Sequence, residues 1–336
     1  MTNKFFRKFR KYTIAIYIIV ALVITEISLR LVLGLGNPVL SQADPNTGYR
    51  FQANQKVFRF GKRIEYNQYS QRSEPITQEK PKGVLRIMAL GDSILNGGNP
   101  TDQQQIITEI FKSKLITAGH PAQVLNASAG SWGIGNHLGY LRKFGTFNSD
   151  AIIVEIGTND LAQPTSTSAV VGNDPNFPNH RPLFAVQEAW IRYIWPRLLQ
   201  TLQIGSAPSD FPVTPSSAEP NRQFQENMQN LKTTVQLVRN QKIPIFVLFV
   251  PQVSNLVPSN TPPKYKLEFI EQLKSLQVPL IDAEIEWSSL PKKIVETFFR
   301  DDIHPNEVGN QALADLLFQQ LCVAGQLSAC HENIPQ

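Results

Sequence analysis

The pattern of apolar positions places strands at Val84–Leu90, Gln123–Asn126, Ala151–Ile156, Ile243–Val250 and Leu280–Asp282. Several of these runs are continuous, not alternating, as expected for strands buried on both faces. Helical spacing fills the intervals. Ile106, Ile107, Ile110, Phe111 and Leu115 form one stripe, which Thr101 can cap through Gln104. Two more helices are expected over about 221–240 and 264–276. A last one follows Pro305, where Val308, Ala312, Leu316 and Leu317 recur. Strands alternating with helices predict an α/β domain, a parallel sheet covered on both sides.

A different pattern opens the chain. Tyr12–Leu35 is apolar except for Thr13, Thr25, Glu26, Ser28 and Arg30, and is long enough to span a bilayer. Glu26 and Arg30 are four apart and can pair on a helix at the outer interface. A cleaved signal peptide and a buried soluble helix are the competing readings, although no small-x-small cleavage site follows Ile24. Residues 1–35 are thus expected to be a basic tail and transmembrane anchor, and 36–82 a neck wrapping the domain. Within the neck, Asn67–Arg72 could pack near the catalytic mouth, but a surface loop is the preferred reading. The catalytic domain is expected over 83–325, with an insertion at 161–220, and 326–336 form a tail. The insertion carries a helix over Leu183–Ile204, rich in aromatics, which Pro196 should kink or break. It is expected to be either a substrate wall or lid, with Trp190 and Trp195 facing the substrate, or a plain packing element.

The formal net charge is +5, and Lys4, Arg7, Lys8, Arg10 and Lys11 account for it. The remainder is about neutral, so no broad basic face for nucleic acid is expected. The N-terminal cluster should stay cytoplasmic, with the domain periplasmic or extracellular. Cys322 and Cys330 could close a disulfide in an exported domain or remain thiols. Metal-ligand spacing is absent, with no C-x-x-C and only five separated histidines.

Four polar islands carry the chemistry: A-L-G-D-S-I-L-N-G at 89–97, N-A-S-A-G-S-W-G at 126–133, E-I-G-T-N-D at 155–160 and D-D-I-H-P-N at 301–306. Ser93 and Asn159 follow apolar runs, at the strand ends where parallel α/β sheets bind ligands. A serine hydroxyl needs a base, and the base needs an orienting carboxylate. His304 and Asp301 supply these, with Asp302 as rival. Pro305 holds His304 extended, outside the following helix. The oxyanion donors are the Ser93 N–H, the Asn159 amide and a backbone N–H from the glycine-containing 126–133 loop.

These islands resemble the blocks of the SGNH (GDSL-type) hydrolase family: Gly91-Asp92-Ser93 with Gly97, Gly157-x-Asn159-Asp160, and Asp301-x-x-His304-Pro305. The resemblance covers roughly residues 84–321. It implies a flavodoxin-like three-layer α/β/α fold with a five-stranded parallel sheet, and esterase, lipase or O-acyltransferase chemistry without a cofactor. It also favours Asp301 over Asp302. One position departs: Ser131 stands where the family's oxyanion glycine is expected, and its backbone N–H would be the donor. The expected function is a membrane-anchored serine esterase acting on an ester or acylated saccharide. An O-acyltransferase using the same residues and a non-catalytic carbohydrate-binding module are the alternatives.

Overall fold

The computed structural model describes residues 2–202, 219–257 and 262–330. The strands are β1 (Ser41–Asp44), β2 (Gly48–Phe51), β3 (Gln55–Arg59), β4 (Lys62–Tyr66), β5 (Leu85–Gly91), β6 (Ala122–Ser128), β7 (Ala151–Gly157), β8 (Ile245–Val250) and β9 (Leu280–Asp282). The helices are α1 (Thr2–Leu33), α2 (Ser93–Asn96), α3 (Ile107–Thr117), α4 (Ile134–Phe144), α5 (Ala185–Glu188), α6 (Trp195–Thr201), α7 (Pro220–Arg239), α8 (Val253–Leu256), α9 (Lys266–Ser275), α10 (Ala283–Ser288), α11 (Lys292–Glu296) and α12 (Glu307–Phe318).

β5–β9 form one parallel sheet in the order β6-β5-β7-β8-β9. Alternate residues of a strand face opposite sides. Leu85, Ile87 and Ala89 therefore join a core with Phe111 of α3 and Leu313 and Leu317 of α12. Met88 and Leu90 join the other core, with Tyr140 of α4, Leu231 of α7 and Phe269 of α9. The result is the expected three-layer α/β/α fold. The order of the five strands is that of flavodoxin-like sheets, and it reverses direction at β5 and β7.

Several local expectations need correction. Asp102, not Thr101, caps the turn before α3, accepting from the Gln104 N–H at 3.1 Å. Thr101 instead accepts a hydrogen bond from Arg300 at 3.0 Å. The insertion helix runs from Ala185 to Thr201 without breaking at Pro196. A π-helical turn over Ala189–Ile194 precedes the proline. Such a turn accommodates the lost N–H and the ring of proline. Of the insertion, 203–218 lie outside the described residues, as do 331–336 of the tail.

The neck is two hairpins. β3 and β4 turn at Phe60 and Gly61, which both have positive φ (49° and 79°), as a two-residue primed turn requires. Asn67–Arg72 is not a surface loop: Asn67, Ser70, Gln71 and Arg72 are buried.

α1 contains a candidate membrane span, Arg10–Leu33, of 24 residues with mean hydropathy 2.3. Its C-terminal end is built into the domain. Glu26 pairs with Arg30 (2.6 Å) as expected. It also accepts the N–H groups of Ala185 (2.8 Å) and Val186 (3.0 Å), so it caps the insertion helix. Arg30 donates to the Leu183 carbonyl at 2.7 Å. Beneath them a buried ion pair joins Arg59 of β3 to Glu188 of α5. Glu188 also accepts the Gly36 N–H at 2.6 Å, and Arg59 donates to the Gly34 carbonyl at 3.2 Å. Cys322 and Cys330 form a disulfide near the C-terminus.

Candidate active site

Ser93 is the first residue of α2, directly beyond β5. Asp92 caps this helix, accepting the Ile94 N–H at 2.7 Å. The short helix ends at Gly97, whose φ of +76° lets the chain turn away sharply. The loop after it is gripped by the fully buried Arg72, which donates to the carbonyls of Asn96, Gly98 and Thr101. Burial lowers the pKa of this guanidinium from its ordinary value, but three carbonyl acceptors meet its N–H groups. Tyr66 adds a hydrogen bond to the Asn96 side chain at 3.0 Å. Arg72 is a positioning residue that no periodicity in the neck announced.

His304 arrives from the opposite end of the chain. Its loop is closed by a bridge between Phe299 and Pro305 and by the Arg300 N–H donating to the His304 carbonyl at 3.0 Å. His304 Nε2 lies 2.9 Å from Ser93 Oγ, and its Nδ1 lies 2.9 Å and 3.0 Å from the two Asp301 oxygens. Asp301 also accepts the backbone N–H groups of Ile303 (2.8 Å) and His304 (2.7 Å). Partial burial pushes its carboxyl pKa up. The hydrogen bonds and charge of His304 outweigh that and hold it at about 2. Asp301 is therefore an anion at neutral pH, fixing Nδ1 as the protonated nitrogen and leaving Nε2 to accept from Ser93. Asp302 is turned away: it accepts the Ser254 N–H (2.8 Å) and hydroxyl (3.0 Å). It ties the histidine loop to α8.

Asn159 begins a single turn, 159–161, at the end of β7. Asp160 pins that turn by accepting the Gly157 N–H at 2.8 Å, and Asn227 of α7 donates to the Asp160 carbonyl at 2.9 Å. Ser131 lies in the loop after β6 with φ of +58°. Its backbone thus keeps the left-handed conformation that favours glycine. Its carbonyl is held by Gln163 (2.9 Å) and Ser166, which orients the peptide plane. Gly130, beside it, lines the cavity at Ser93. Trp190 and Trp195 are elsewhere. They pack against each other with ring centroids 5.9 Å apart, half-exposed on the outer face of the insertion. Neither lines the cavity at Ser93 or the larger one adjoining it.

Behind Ser93 sit three buried carboxyls, Asp92, Glu155 and Asp160, with ligand atoms within 4.8 Å of one another. Glu155 accepts the Asp92 N–H at 3.2 Å. Burial raises all three pKa values. The neighbouring acids push Glu155 and Asp160 further, so that both lie well above the ordinary carboxylate range. The signal was visible: Glu155 is the one charged residue in the strand A-I-I-V-E-I-G.

No curated protein matches the chain. Among solved structures, the acetyl xylan esterase AlAXEase aligns with a TM-score of 0.43 and 14% identity, covering 70% of this chain and 100% of that one. A lipase/acylhydrolase from Enterococcus faecalis aligns with a TM-score of 0.43 and 17% identity, covering 72% and 97%. TesA gives 0.42 and 16%, covering 70% and 98%. The GDSL-like lipase/acylhydrolase family model matches residues 89–312. This chain therefore belongs to the GDSL-like (SGNH) lipase/acylhydrolase family of ester-hydrolysing enzymes.

Proposed function

We propose that this chain is a membrane-anchored serine esterase with its catalytic domain outside the cytoplasm. The carrying observation is the continuous contact from Ser93 Oγ through His304 to Asp301. In the first half-reaction Ser93 Oγ attacks the ester carbonyl while His304 Nε2 takes its proton. The tetrahedral oxyanion is held by the Ser93 N–H, the Asn159 amide and a backbone N–H of the Gly130–Ser131 loop, with Ser131 as the expected donor. Collapse breaks the ester C–O bond, and His304 returns the proton to the departing alcohol. Water, deprotonated by His304, then attacks the acyl carbon; the acyl bond to Ser93 Oγ breaks, the acid leaves and His304 returns the proton to Ser93 Oγ. Asp301 stays ionised and keeps His304 oriented throughout.

Three features support retention of α1 and an exterior domain. Glu26 and Arg30 hold the insertion, so removal of the span would strip the cap from α5. The Cys322–Cys330 bridge suits an oxidising compartment. The five N-terminal cations suit the cytoplasmic side.

Labelling of the detergent-purified full chain with a serine-directed phosphonate tests the reading. Wild type is expected to label at Ser93 and to hydrolyse a soluble short-chain ester, and Ser93→Ala to do neither. Undiminished hydrolysis by Ser93→Ala would overturn the assignment. Adding an acceptor alcohol and analysing products separates hydrolysis from acyl transfer.

A further inference from the structure

A cavity of about 560 Å³ opens between the outer end of α1 and the insertion. Leu29, Leu33 and Leu35 form one wall, and Phe60, Tyr193 and Ile194 face them. This volume falls in the usual range for ligand sites, about 300–1,000 Å³. The cavity adjoins a second, narrow one of about 60 Å³ that reaches Ser93 between Val39, Tyr49, Phe51, Tyr66 and Phe177. Asn99, Asn176 and Arg192 line both. A mainly apolar route, with Asn99, Asn176 and Arg192 at the junction, therefore leads from Ser93 to the last turns of the candidate span. Its inner part, about 60 Å³ against about 560 Å³ for the outer, suits a slender chain better than a bulky ring.

The surroundings fix the source of that chain. Leu29 and Leu33 belong to the span itself. On the insertion, Trp190, Ile194, Leu198 and Leu202 follow one another every fourth residue, and each is at least 40% exposed. Leu183 and Phe184, at the start of the helix, are also exposed. This is the composition of a helix lying in the headgroup region of a bilayer, with aromatic side chains at the interface. Among the described residues, Lys62, Arg192 and Arg197 are the charged residues of the groove wall, and no carboxylate lines it. Glu307 and Glu188 partner two of them from outside the lining, Lys62 at 2.7 Å and Arg192 at 3.3 Å.

We propose that this groove binds the acyl chain of an anionic bilayer lipid, drawn sideways from the leaflet in which α1 is embedded, and presents its ester to Ser93. The inference rests on the esterase reading and adds the substrate class and its route. The acyl carbonyl carbon bonds to Ser93 Oγ, the bond to the lipid alcohol oxygen breaks, and His304 delivers the proton to that oxygen. The membrane helix is then a wall of the substrate site.

The test uses full-length protein in nanodiscs of phosphatidylglycerol or phosphatidylcholine, with released fatty acid measured by mass spectrometry. Phosphatidylglycerol is expected to be cleaved at least tenfold faster, and Arg197→Gln to narrow that preference. Removing a methylene from water is worth a factor of about four in affinity. Leu33→Trp, which fills the groove, is therefore expected to lower the ratio of kcat/KM for twelve-carbon over four-carbon soluble esters at least tenfold. Ile194→Trp is the second variant should Leu33→Trp fail to fold. A photoreactive phosphatidylglycerol should crosslink to Ser93→Ala protein within Leu29–Leu35 or Arg192–Arg197. Turnover of short soluble esters without cleavage of either lipid would overturn the proposal and leave the esterase reading standing. So would unchanged chain-length ratios in a folded groove variant, or crosslinks elsewhere. No turnover of any ester would remove both.

Discussion

Replacing Glu188 by Gln tests how the insertion is held to the anchor. Its carboxylate is buried and accepts from Arg59, from Arg192 at 3.3 Å and from the Gly36 N–H at 2.6 Å. Arg59 is itself fully buried on β3, with Gly34 and Tyr193 as its other partners, both at 3.2 Å. The amide preserves shape and one acceptor but leaves the guanidinium without its counter-charge. Breaking a buried pair in this way costs about 3–5 kcal/mol. The main sheet shares none of these contacts, so the cost should appear as local opening of the joint between α1, β3 and α5. At the lower bound of about 3 kcal/mol, the open fraction rises on the order of a hundredfold. Hydrogen exchange of full-length protein in detergent, followed by mass spectrometry, reads this directly. Peptides covering 34–36 and 185–194 should exchange about a hundred times faster, while β5 and β7 are unchanged. The double variant Arg59→Met/Glu188→Leu removes both charges and should restore protection, since apolar replacements of buried pairs are commonly neutral or stabilising. Exchange within threefold of wild type in Glu188→Gln, or no recovery in the double variant, would refute the electrostatic account.

Asp301→Asn should lower kcat by about 10⁴-fold, because the amide no longer stabilises the imidazolium or enforces its tautomer. Asp302→Asn, at a residue whose hydrogen bonds among the described residues go to Ser254 and Val253, should stay within about tenfold, as ester kinetics will show. Ser131→Gly should keep activity and match or exceed wild-type stability in urea melts, because the left-handed backbone costs a non-glycine residue about 1–2 kcal/mol. Ser131→Val should lose both, and the reverse ranking would sink the argument. The buried carboxyls also predict a pH dependence. Their pKa values are raised on folding, so the native state keeps protons that the unfolded chain has lost above about pH 4. Their contribution to stability is thus largest below that pH and declines as pH rises, by about 1.4 kcal/mol per pH unit for each retained proton. Glu155→Gln should flatten the decline between pH 5 and pH 8 in denaturant melts, and parallel curves would refute it. Asp44 and Asp102, held at about 2 by salt bridges and hydrogen bonds that outweigh burial, act in the opposite sense. Their stabilisation is present above about pH 4 and is lost as pH falls toward 2.

The sheet was legible because strands covered on both faces must be largely apolar, and β5, β7 and β8 are, with Arg86 and Glu155 as the charged exceptions. The Ser93–Asp301–His304 constellation was legible through residue types at strand ends and before a proline. What stayed hidden depends on contacts distant in the chain. α4 escaped notice because Gly135 and Gly139 break its apolar stripe. A Cβ at Gly139 would come within 2.0 Å of the Asn46 carbonyl, and one at Gly135 within 2.0 Å of the Thr165 hydroxyl. Both glycines serve packing against segments that the sequence does not show to be neighbours. The β3–β4 turn was masked by Phe60, an aromatic where Asn, Asp or Gly is the usual signal. Arg72 was placed on a surface loop and Glu188 carried no signal, because the partners that bury them are distant in the chain. Trp190 and Trp195 suggested a wall by composition, but the orientation of a helix about its axis is set by what it docks on, here Glu26 and Arg59.

The cap that Glu26 places on the insertion has a mechanical consequence. A flexible stalk would let a catalytic head sweep through a wide volume above a membrane. A helix whose own side chains start the next layer of structure acts as a bracket, and the height and tilt of the head become properties of the fold. With α1 embedded as proposed, Ser93 works at one altitude above the lipid, and any substrate must come to that level.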